Sequence, residues 1–522
     1  MNRNPAKGAV ATGHAATAEA AAFALREGGN AFDAAIAAHW TACVAEPVLT
    51  SLGGGGFLLA QQDNGQACVY DFFAQTPVHK RPGTEIDFHP IHADFGTTLQ
   101  EFHIGYGAVA TPGTVRGLFA IHEDLGSLPM PVLMEPAVEL ARKGLRVNRL
   151  QAYIMDIVRP VYLATPQAAQ RFTSPSKQGS LVGEGETLYL PELADTLLAL
   201  GHEGERLFYE GDIAMEIDSA CRSAGGHLRR EDLARYRVIK RDPLRIKYRG
   251  SEFLTNPPPS SGGLLIGFAL KLLEKLVAEG ILIDSTEGVS RLAEVMHATN
   301  EARLDSIGND SLNEQLLDPE LLRRYQDQVR DRTRAFRGTT HISVIDRNDM
   351  AVAVTLSNGE GCGVIIPGCG FMLNNMLGEE DINPGGLGRW QENRRMASMM
   401  APSILEQADG GLTALGSGGS NRIRTAMTQV INRLNRPGST LEDSIAAPRS
   451  HVEGETFFFE DPDGQDVDRA NVSARSDVID FKPFRAPSMF FGGVHAVRRL
   501  PDGSIEAAGD PRRAGCAHVV DA

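Results

Sequence analysis

Two kinds of hydrophobic pattern recur along the chain, and the first is typical of buried helices. The alanine-rich run over 15–25 predicts a helix, because alanine has the highest helix propensity. The next run, AFDAAIAAHWTACV over 31–44, is apolar on nearly every face and predicts a helix that is buried all round. Asn30 stands just before it at the N-cap position, where its side-chain oxygen can accept a backbone N–H.

The second pattern is a short run of β-branched and aromatic residues beside a polar turn, which is typical of strands. Gly56–Gln61 and Ala67–Phe73 flank one such turn and predict a β-hairpin. Thr340–Asp346 and Ala351–Leu356 flank another and predict a second hairpin. The glycine run over 53–56 does not predict a phosphate loop, because no Gly-Lys-Ser/Thr follows it.

Further segments complete the predicted elements, and 77–107 shows no regular pattern. Helices are predicted from 114 to 125 and over 131–143, 147–158, 191–200, 212–224, 262–273, 286–304, 312–332 and 423–434. Strands are predicted over 244–249, 252–255, 399–406, 412–416, 456–460 and 493–499. Helices on both sides of central strands predict an α/β (α+β) fold of sheets covered by helices, with no linker between independent domains.

The composition excludes several classes of protein. Hydrophobic residues make up 42% and charged residues 22% of the chain, which is typical of a soluble globular protein. The formal charge of −15 argues against nucleic acid as a partner, because phosphate binding requires a basic face. No window of about 18 apolar residues predicts a membrane span, and the first residues show no secretory pattern, so the expected location is the cytoplasm.

Neither a metal nor another cofactor is expected. The six cysteines form no CxxC pair, and the 14 histidines form no HExxH motif. The cysteines are expected to be buried free thiols, although the sequence leaves open a disulfide between Cys362 and Cys369. His341 is predicted to be a strand residue with local hydrogen bonds rather than a metal ligand.

The candidate chemistry centres on Thr339, which follows Gly338 and precedes Thr340 and His341. As an internal residue Thr339 carries only a weakly nucleophilic hydroxyl, and the plain interpretation is a glycine turn that enters a strand. If the Gly338–Thr339 bond is cut, Thr339 becomes a chain terminus, and its freed amine can act as the base for its own hydroxyl. A terminal α-amine titrates at about 7.7–8.0, close enough to neutrality for this role.

Several other motifs decide between these interpretations by their joint order and spacing. They are Gly8–Ala11 with Gly28–Ala35, Glu46-Pro47 before Gly53–Gly56, Thr111–Val115, Pro258–Gly263, Thr339–His341, Leu373–Asn375 and Gly416–Ser420. In this order the chain resembles the γ-glutamyltransferase (γ-glutamyltranspeptidase) family of N-terminal nucleophile hydrolases. No single motif is specific, but the series extends over nearly the whole chain.

The resemblance implies a four-layer αββα sandwich and a precursor that cuts itself before Thr339. The products would be a large chain, 1–338, and a small chain, 339–522, which together form one structural body as a heterodimer. Whether heterodimers pair again stays open. In this scheme the Thr339 hydroxyl first attacks the carbonyl carbon of Gly338 and later the γ-acyl carbon of a small-molecule γ-glutamyl substrate. Gly338 suits the first step, because a strained backbone beside the cut bond costs least at glycine. Water or an amino acid or peptide acceptor then releases the acyl group.

The resemblance also implies roles for residues around the nucleophile. Gly418 and Gly419 match the glycine pair whose backbone N–H groups form the oxyanion hole, although a glycine-rich entry to a helix is the plain alternative. Asn358 matches a substrate-binding asparagine. Either Thr355 or Ser357 would supply a hydroxyl that contacts the nucleophile. The chain is shorter here than the family pattern, so both alignments stay open.

The chain departs from the family pattern where the donor substrate would bind. Met376 stands where a Gln or Glu is usual, and Glu379 stands where an Asp is usual. Ser398 is followed by Met399 in place of a second serine. Arg81 lies near the position of the arginine that would grip the substrate α-carboxylate, and a solvated surface pair with the preceding lysine is its alternative.

These departures, with a short segment over 375–398, predict a wider and less polar pocket with a reduced lid. The leading hypothesis is a self-processing enzyme that cleaves the γ-glutamyl amide bond of glutathione or a related compound. A glutaryl or cephalosporin-type acylase of the same fold is the first alternative. An uncleaved, non-catalytic binding protein is the second.

Overall fold

The computed structural model describes residues 6–94, 99–308, 317, 338–383, 386–462, 464, 467–476 and 478–521. The helix predicted over 312–332 lies outside these residues, apart from Leu317.

The described strands, in chain order, are β1 (Gly8–Thr12), β2 (Gly55–Gln61), β3 (Ala67–Phe72), β4 (His89–Asp94), β5 (Leu99–Ile104), β6 (Leu145–Arg146), β7 (Thr187–Leu188), β8 (Ile239–Arg241), β9 (Leu244–Tyr248), β10 (Ser251–Thr255), β11 (Thr340–Asp346), β12 (Ala351–Ser357), β13 (Ser403–Glu406), β14 (Leu412–Gly418), β15 (Ser450–Glu453), β16 (Thr456–Glu460), β17 (Asp480–Phe484), β18 (Gly493–Arg499), β19 (Ile505–Ala508) and β20 (Cys516–Val520).

The described α-helices, in chain order, are α1 (Ala15–Arg26), α2 (Ala31–Ala45), α3 (Thr114–Leu125), α4 (Met130–Lys143), α5 (Arg149–Ile157), α6 (Arg159–Tyr162), α7 (Pro166–Phe172), α8 (Pro191–Glu203), α9 (Arg206–Tyr209), α10 (Asp212–Ser223), α11 (Arg230–Arg235), α12 (Gly262–Ala278), α13 (Thr286–Gly308), α14 (Arg422–Leu434), α15 (Leu441–Ala446) and α16 (Arg469–Ser476).

Two antiparallel sheets form the centre of the molecule. The first has the strand order β20-β1-β11-β12-β2-β3-β8, and the second has the order β19-β18-β14-β13-β10-β9. Both predicted hairpins are present in the first sheet, where β2 pairs with β3 and β11 pairs with β12. β11 therefore lies in the interior of the first sheet, between β1 and β12.

Alternating side chains of the first sheet supply two separate cores. Val10, Leu58 and Val344 belong to the core that contains α1 to α4, whereas Phe57 and Leu59 belong to the core shared with the second sheet. This alternation follows from the two-residue period of a strand, which sends successive side chains to opposite faces. Because α12, α13 and α14 cover the second sheet, the layers run helix, sheet, sheet, helix. The predicted αββα architecture is confirmed.

Helix α2 positions one wall of the site. Its residues are all buried, as predicted, and Asn30 forms a capping box with Asp33 at its start. Its C-cap is Glu46, whose carboxylate oxygen Oε2 accepts a hydrogen bond of 2.7 Å from the Thr340 hydroxyl on β11.

Several short elements were not predicted. The segment 77–107, which has no regular pattern, contains the hairpin β4–β5, whose first strand has the sequence HPIHAD. The proline and the two histidines of this strand hide the alternation of apolar and polar residues that would mark it. The strand predicted over 399–406 begins only at Ser403, because 399–402 is a non-regular segment that packs against Ser260.

Two expectations from composition can be compared with the structure. All six cysteines are free, and Cys43, Cys221, Cys362 and Cys369 are buried, so the alternative of a Cys362–Cys369 disulfide is not realised. Among the described residues, no helix combines the length and the apolar character needed to cross a bilayer.

Candidate active site

Thr339 lies immediately before β11 and is buried, and the backbone of Gly338 and Thr339 is held at three points. The Gly338 N–H donates to Glu360 Oε1 at 2.7 Å. The Ser357 hydroxyl donates to the Gly338 carbonyl oxygen at 2.9 Å. Arg513 Nη1 donates to the Thr339 carbonyl oxygen at 3.2 Å. The carbonyl next to the predicted cleavage point is therefore fixed and polarised by a hydroxyl donor.

Close packing explains why residue 338 is a glycine. A Cβ atom at this position would lie 2.8 Å from the carbonyl oxygens of both Val48 and Gly359. Lack of space for a side chain is therefore a sufficient reason for glycine at this position.

The two glycines predicted for the oxyanion hole approach Thr339 from the second sheet. Gly418 ends β14, and a Cβ atom there would overlap the carbonyl oxygen of Thr339. Gly419 has a φ of 123°, in the region that favours glycine, and α14 begins at Arg422. The pair thus combines contact with the predicted nucleophile and entry into a helix, whose N-terminal end favours negative charge.

A cavity of about 60 Å³ opens beside Thr339. It is lined by Phe73, Ser261, Arg303, Thr339, Ser357, Met376, Glu379, Asp381, Ile382, Ala397, Ser398, Met399, Met400, Ser420, Asn421 and Ile423. Of the residues predicted for the site, Thr339, Ser357, Glu379 and Ser398 meet here. Both methionines that replace polar family residues are also part of its wall.

Thr355 and Ser357 take different positions. Ser357 lines the cavity, but Thr355 Oγ1 lies 2.8 Å from Nδ1 of His341 in the interior between the sheets. His341 Nε2 lies 2.9 Å from the Ser343 hydroxyl, and burial holds the pKa of the imidazole well below its usual range. His341 is thus a neutral strand residue with local hydrogen bonds, as predicted.

Asn358 and Arg81 do not line the cavity. Asn358 is buried against the glycine run, and a Cβ atom at Gly54 would lie 3.2 Å from its Oδ1 atom. The Arg81 guanidinium bonds to Glu85 at 3.2 Å and to the carbonyl oxygen of Arg222 at 3.0 Å. The structure therefore places the Arg81 guanidinium in an ion pair with Glu85, outside the cavity.

Two charged residues of the cavity were missed in the sequence. Arg303 extends from α13, and Asp381 accepts a hydrogen bond of 3.2 Å from the Ser420 hydroxyl. Together with Glu379 they give the described lining one guanidinium and two carboxylates. No local motif could have identified Arg303, because it belongs to a long amphipathic helix with several other charged residues.

Two more charged residues were missed behind Thr339. Burial raises the pKa of Glu46 to about 7, against the opposing hydrogen bonds from Thr340 and Thr17 and the charge of Arg513. Burial lowers the pKa of Arg513 to about 10, against the charges of Asp510 and Glu360 among others. The Glu46-Pro47 motif could have identified Glu46 as a site residue. Nothing in the sequence around Arg513, apart from the adjacent arginine, marks it as one.

The serine pair of the Pro258–Gly263 motif holds the opposite wall. The hydroxyls of Ser260 and Ser261 donate to the Ser398 carbonyl oxygen at 2.9 Å and 3.2 Å. Ser260 also donates to the Met400 carbonyl oxygen at 3.0 Å. The motif therefore fixes the segment that carries Ser398 and Met399.

Two sheets between helical layers, with a threonine at the start of an interior strand, define the class of N-terminal nucleophile hydrolases. A profile described as Gamma-glutamyltranspeptidase matches residues 17–520, so the chain belongs to the γ-glutamyltranspeptidase family of enzymes.

Known proteins similar to this chain include both hydrolases and acylases. It is 29% identical to the glutathione hydrolase proenzyme of Pseudomonas aeruginosa, over 98% of this chain and 94% of that protein. It is 27% identical to the acylase ACY 1 proenzyme of Pseudomonas sp. V22, over 96% of this chain and 91% of that protein. The crystal structure of a cephalosporin acylase from Bacillus halodurans matches with a TM-score of 0.82 at 22% identity, covering 99% of this chain and 97% of that one. This last similarity concerns the fold.

Proposed function

We propose that this protein is a self-processing enzyme that cleaves the γ-glutamyl amide bond of glutathione or a related compound through an acyl-Thr339 intermediate. The observation that carries the proposal is the position of Thr339. It borders a cavity, follows a carbonyl held by Ser357, and lies against Gly418, the first of the two predicted oxyanion glycines. This is the environment that an activated hydroxyl nucleophile requires.

The first step is cleavage of the chain itself. The Thr339 hydroxyl oxygen bonds to the Gly338 carbonyl carbon, the C–N bond breaks, and the hydroxyl proton passes to the departing Thr339 nitrogen. Water then hydrolyses the ester, which restores the hydroxyl and leaves Gly338 as a carboxylate. The products are the chains 1–338 and 339–522, which stay together as a heterodimer.

The second step is turnover of substrate. The freed amine of Thr339 takes the proton of its own hydroxyl, whose oxygen attacks the γ-acyl carbon. Backbone N–H groups of Gly418 and Gly419 stabilise the oxyanion, a contribution worth about 2.7–4 kcal/mol for each donor. Water or the amine of an amino acid or peptide then accepts the acyl group.

The charges of the cavity support a substrate with an amino acid head group. An α-carboxylate can pair with Arg303, and an α-ammonium can pair with Glu379 and Asp381. Arg303 would thereby take the role that was first expected of Arg81. Relatives named glutathione hydrolase proenzymes agree with this substrate class. Asn358 is proposed to act indirectly, through the backbone around the glycine run.

An acylase for a glutaryl or similar dicarboxylic side chain is the second candidate. Met376 and Met399 favour it, because they give the cavity an apolar wall where the family has polar groups. Acylase relatives agree with it. A comparison of kcat/KM for glutathione and for a glutaryl anilide on one preparation separates the two candidates.

A denaturing gel of the purified protein tests both candidates against an uncleaved, non-catalytic binding protein. We expect two bands, the smaller one beginning at Thr339 by N-terminal sequencing. Thr339→Ala should give one band and no turnover, whereas Thr339→Ser keeps a hydroxyl beside an amine and should still be cleaved. A single intact band from the wild-type protein would contradict both enzyme proposals, and turnover by Thr339→Ala would contradict the assignment of the nucleophile.

A further inference from the structure

Asn421 is a buried polar residue in the wall of the cavity beside Thr339, two residues beyond the glycine pair at 418–419. It is 2% exposed, and no described residue donates a hydrogen bond to its Oδ1 atom. It is also the N-cap residue of α14, but its side chain forms no capping hydrogen bond. A buried carboxamide without partners costs stability, so the folded chain alone gives no reason for asparagine here.

Other polar side chains of the same wall are engaged within the protein. The Ser357 hydroxyl donates to the Gly338 carbonyl oxygen at 2.9 Å, and the Ser420 hydroxyl donates to Asp381 at 3.2 Å. These two hydroxyls hold the backbone and the segment around the cavity. The carboxamide of Asn421 is in contrast available to a molecule inside it.

The end of the cavity at Asn421 is the positive end of a helix. Asn421 precedes the 13 residues of α14, and the N-terminus of a helix of this length favours negative charge. Arg424 Nε donates to the backbone carbonyl oxygen of Asn421 at 3.2 Å, and Arg424 Nη1 is buried without a hydrogen-bond partner among the described residues. An anion beside Asn421 would therefore be stabilised by the helix and by a guanidinium behind it.

Carboxylates offset only part of this positive charge. Burial lowers the pKa of Arg424 to about 9, and the charges of Arg303 and Arg422 act in the same direction, whereas Glu453 and Asp381 act against it. Three guanidiniums thus face two carboxylates around the start of α14. Arg303 also lines the cavity itself.

The span from the acyl position to Asn421 suits a short dicarboxylic chain. The two residues from Gly419 to Asn421 cover at most about 7 Å. Four C–C bonds of about 1.5 Å separate the acyl carbon of a glutaryl or γ-glutamyl group from its carboxylate carbon, and they extend over about 5 Å. An acyl group held at the oxyanion glycines can therefore bring its carboxylate to Asn421.

We infer that Asn421 is a substrate-binding residue whose carboxamide N–H donates to a carboxylate at the far end of the acyl group, beside Arg303. This inference rests on the proposed function, because it concerns the cavity in which the substrate would bind. It names the class of donor as an amide whose acyl chain ends in a carboxylate. Glutamyl and glutaryl groups belong to this class, and a butanoyl group does not.

Asn421→Leu keeps the approximate volume and removes the donor. We expect the KM for γ-glutamyl anilide and for glutaryl anilide to rise about tenfold with kcat within about twofold, which is the loss of one hydrogen bond to a charged group. Self-cleavage should keep its rate, because no substrate carboxylate takes part in it. The melting temperature should not fall, because no bond within the protein is lost. Asn348→Leu, exposed in the turn between β11 and β12, is the matched control and should change none of these quantities.

Asn421→Asp tests the sign of the charge that is bound. A carboxylate at this position would repel the carboxylate of the substrate, so the KM should rise about a hundredfold, more than in Asn421→Leu. An ammonium group at the same place would instead be attracted. A KM in Asn421→Asp that is equal to or below that of the wild type would therefore overturn the inference.

A binding measurement requires no turnover. Glutarate and butanoate are titrated into the purified protein by calorimetry, since both can occupy the acyl position but only glutarate has a second carboxylate. We expect glutarate to bind Asn421→Leu about tenfold more weakly than wild type, and butanoate to bind both equally. A wild-type protein that binds glutarate no better than butanoate would overturn the inference.

A structural role of Asn421 would give a different result. Slower self-cleavage and a lower melting temperature in Asn421→Leu would show that the side chain supports the oxyanion turn, and would overturn the inference. These results leave the proposed function intact. An intact wild-type chain on the denaturing gel would overturn the proposed function, and the glutarate titration would then decide the inference separately.

Discussion

Around Thr339, single residues are selected by space as much as by chemistry. Gly338 and Gly418 both approach carbonyl oxygens so closely that neither position has room for a Cβ atom. Ser357 and Glu360 then supply the hydrogen bonds that hold Gly338. Gly418 lets the second sheet approach Thr339 closely, and the polar side chains determine how the backbone at Gly338 is oriented.

Gly418→Ala is expected to lower turnover, although it changes no charge in the site. The new Cβ atom would overlap the Thr339 carbonyl oxygen and displace the backbone N–H groups proposed for the oxyanion hole. We expect kcat to fall by about 10²–10³-fold, the loss typical of one missing oxyanion donor. Gly83→Ala is the matched control, because a Cβ atom at Gly83 meets nothing within 4 Å. Wild-type turnover in Gly418→Ala would contradict the assignment.

Glu46 is expected to make stability depend on pH. Its pKa is raised from 4.5 to about 7 by burial, so the folded protein retains a proton that the unfolded chain releases at lower pH. The stability that this proton provides is fully present below about pH 4.5 and is lost as the pH rises through about 7. The loss amounts to about 3 kcal/mol, at about 1.4 kcal/mol for each pH unit.

The test compares Glu46→Gln with the parent chain, both carrying Thr339→Ala so that neither can be cleaved. The melting temperatures should be similar near pH 5, and the glutamine variant should melt a few degrees higher at pH 8. The pKa values of the neighbouring His14 and His495 are lowered to about 4, so neither imidazole titrates in this interval in the folded protein, and their titration in the unfolded chain is common to both variants. A difference in melting temperature that is the same at both pH values would disprove the titration of Glu46.

At the scale of elements, the substrate cavity is formed mainly by loop segments held on rigid elements. Met376 follows β12 in the chain, and Met399 precedes β13. The segment with Met399 is held by the serines at the start of α12, and the Met376 backbone N–H donates to Asn374 Oδ1 at 3.1 Å. Substitutions in these loop segments can therefore change the substrate specificity of the enzyme without disturbing the two sheets.

Met376→Gln combined with Met399→Ser tests whether the loop segments set the substrate specificity independently of the sheets. The double substitution restores polar groups where the family usually has them, and both sites lie on the cavity wall. We expect the ratio of kcat/KM for glutathione to that for a glutaryl anilide to rise about tenfold, with unchanged self-cleavage. Met215→Gln, at an exposed position on α10, is the control for loss of a methionine. An unchanged ratio would show that these side chains do not select the acyl group.

At the scale of the whole molecule, strands from the two sides of the cleavage point share both central sheets. In the first sheet β11 pairs with β1, and β12 pairs with β2. In the second sheet β13 pairs with β10. Cleavage before Thr339 would leave these ladders of hydrogen bonds intact, and each of the two central sheets would contain strands of both product chains.

We therefore expect the cleaved protein to behave as one particle. Size-exclusion chromatography of the wild-type protein should give the same elution volume as uncleaved Thr339→Ala, while a denaturing gel shows two bands for the former and one for the latter. Separation of the two chains without denaturant would contradict the shared sheets.

Much of the fold could be predicted, because it depends on short-range patterns. The bounds of β11 and β16 agree with the prediction residue for residue, and the capping residue Asn30 marks the start of α2. The edge strand β20 and its neighbour β1 were not predicted. Each has five residues, and such short runs have no period that distinguishes them from a loop.

The sequence by itself determined the helices, the central hairpins and the threonine that follows Gly338, because propensity, periodicity and motif order act over a few residues. Only the tertiary structure decided which charges share the site. Arg303, Asp381 and Arg513 are all distant from Thr339 along the sequence. The packing of two sheets and two helical layers brings them close to it in space. The same packing places Arg81 in an ion pair with Glu85. Contacts between distant elements depend on how whole layers stack, and no local pattern encodes that.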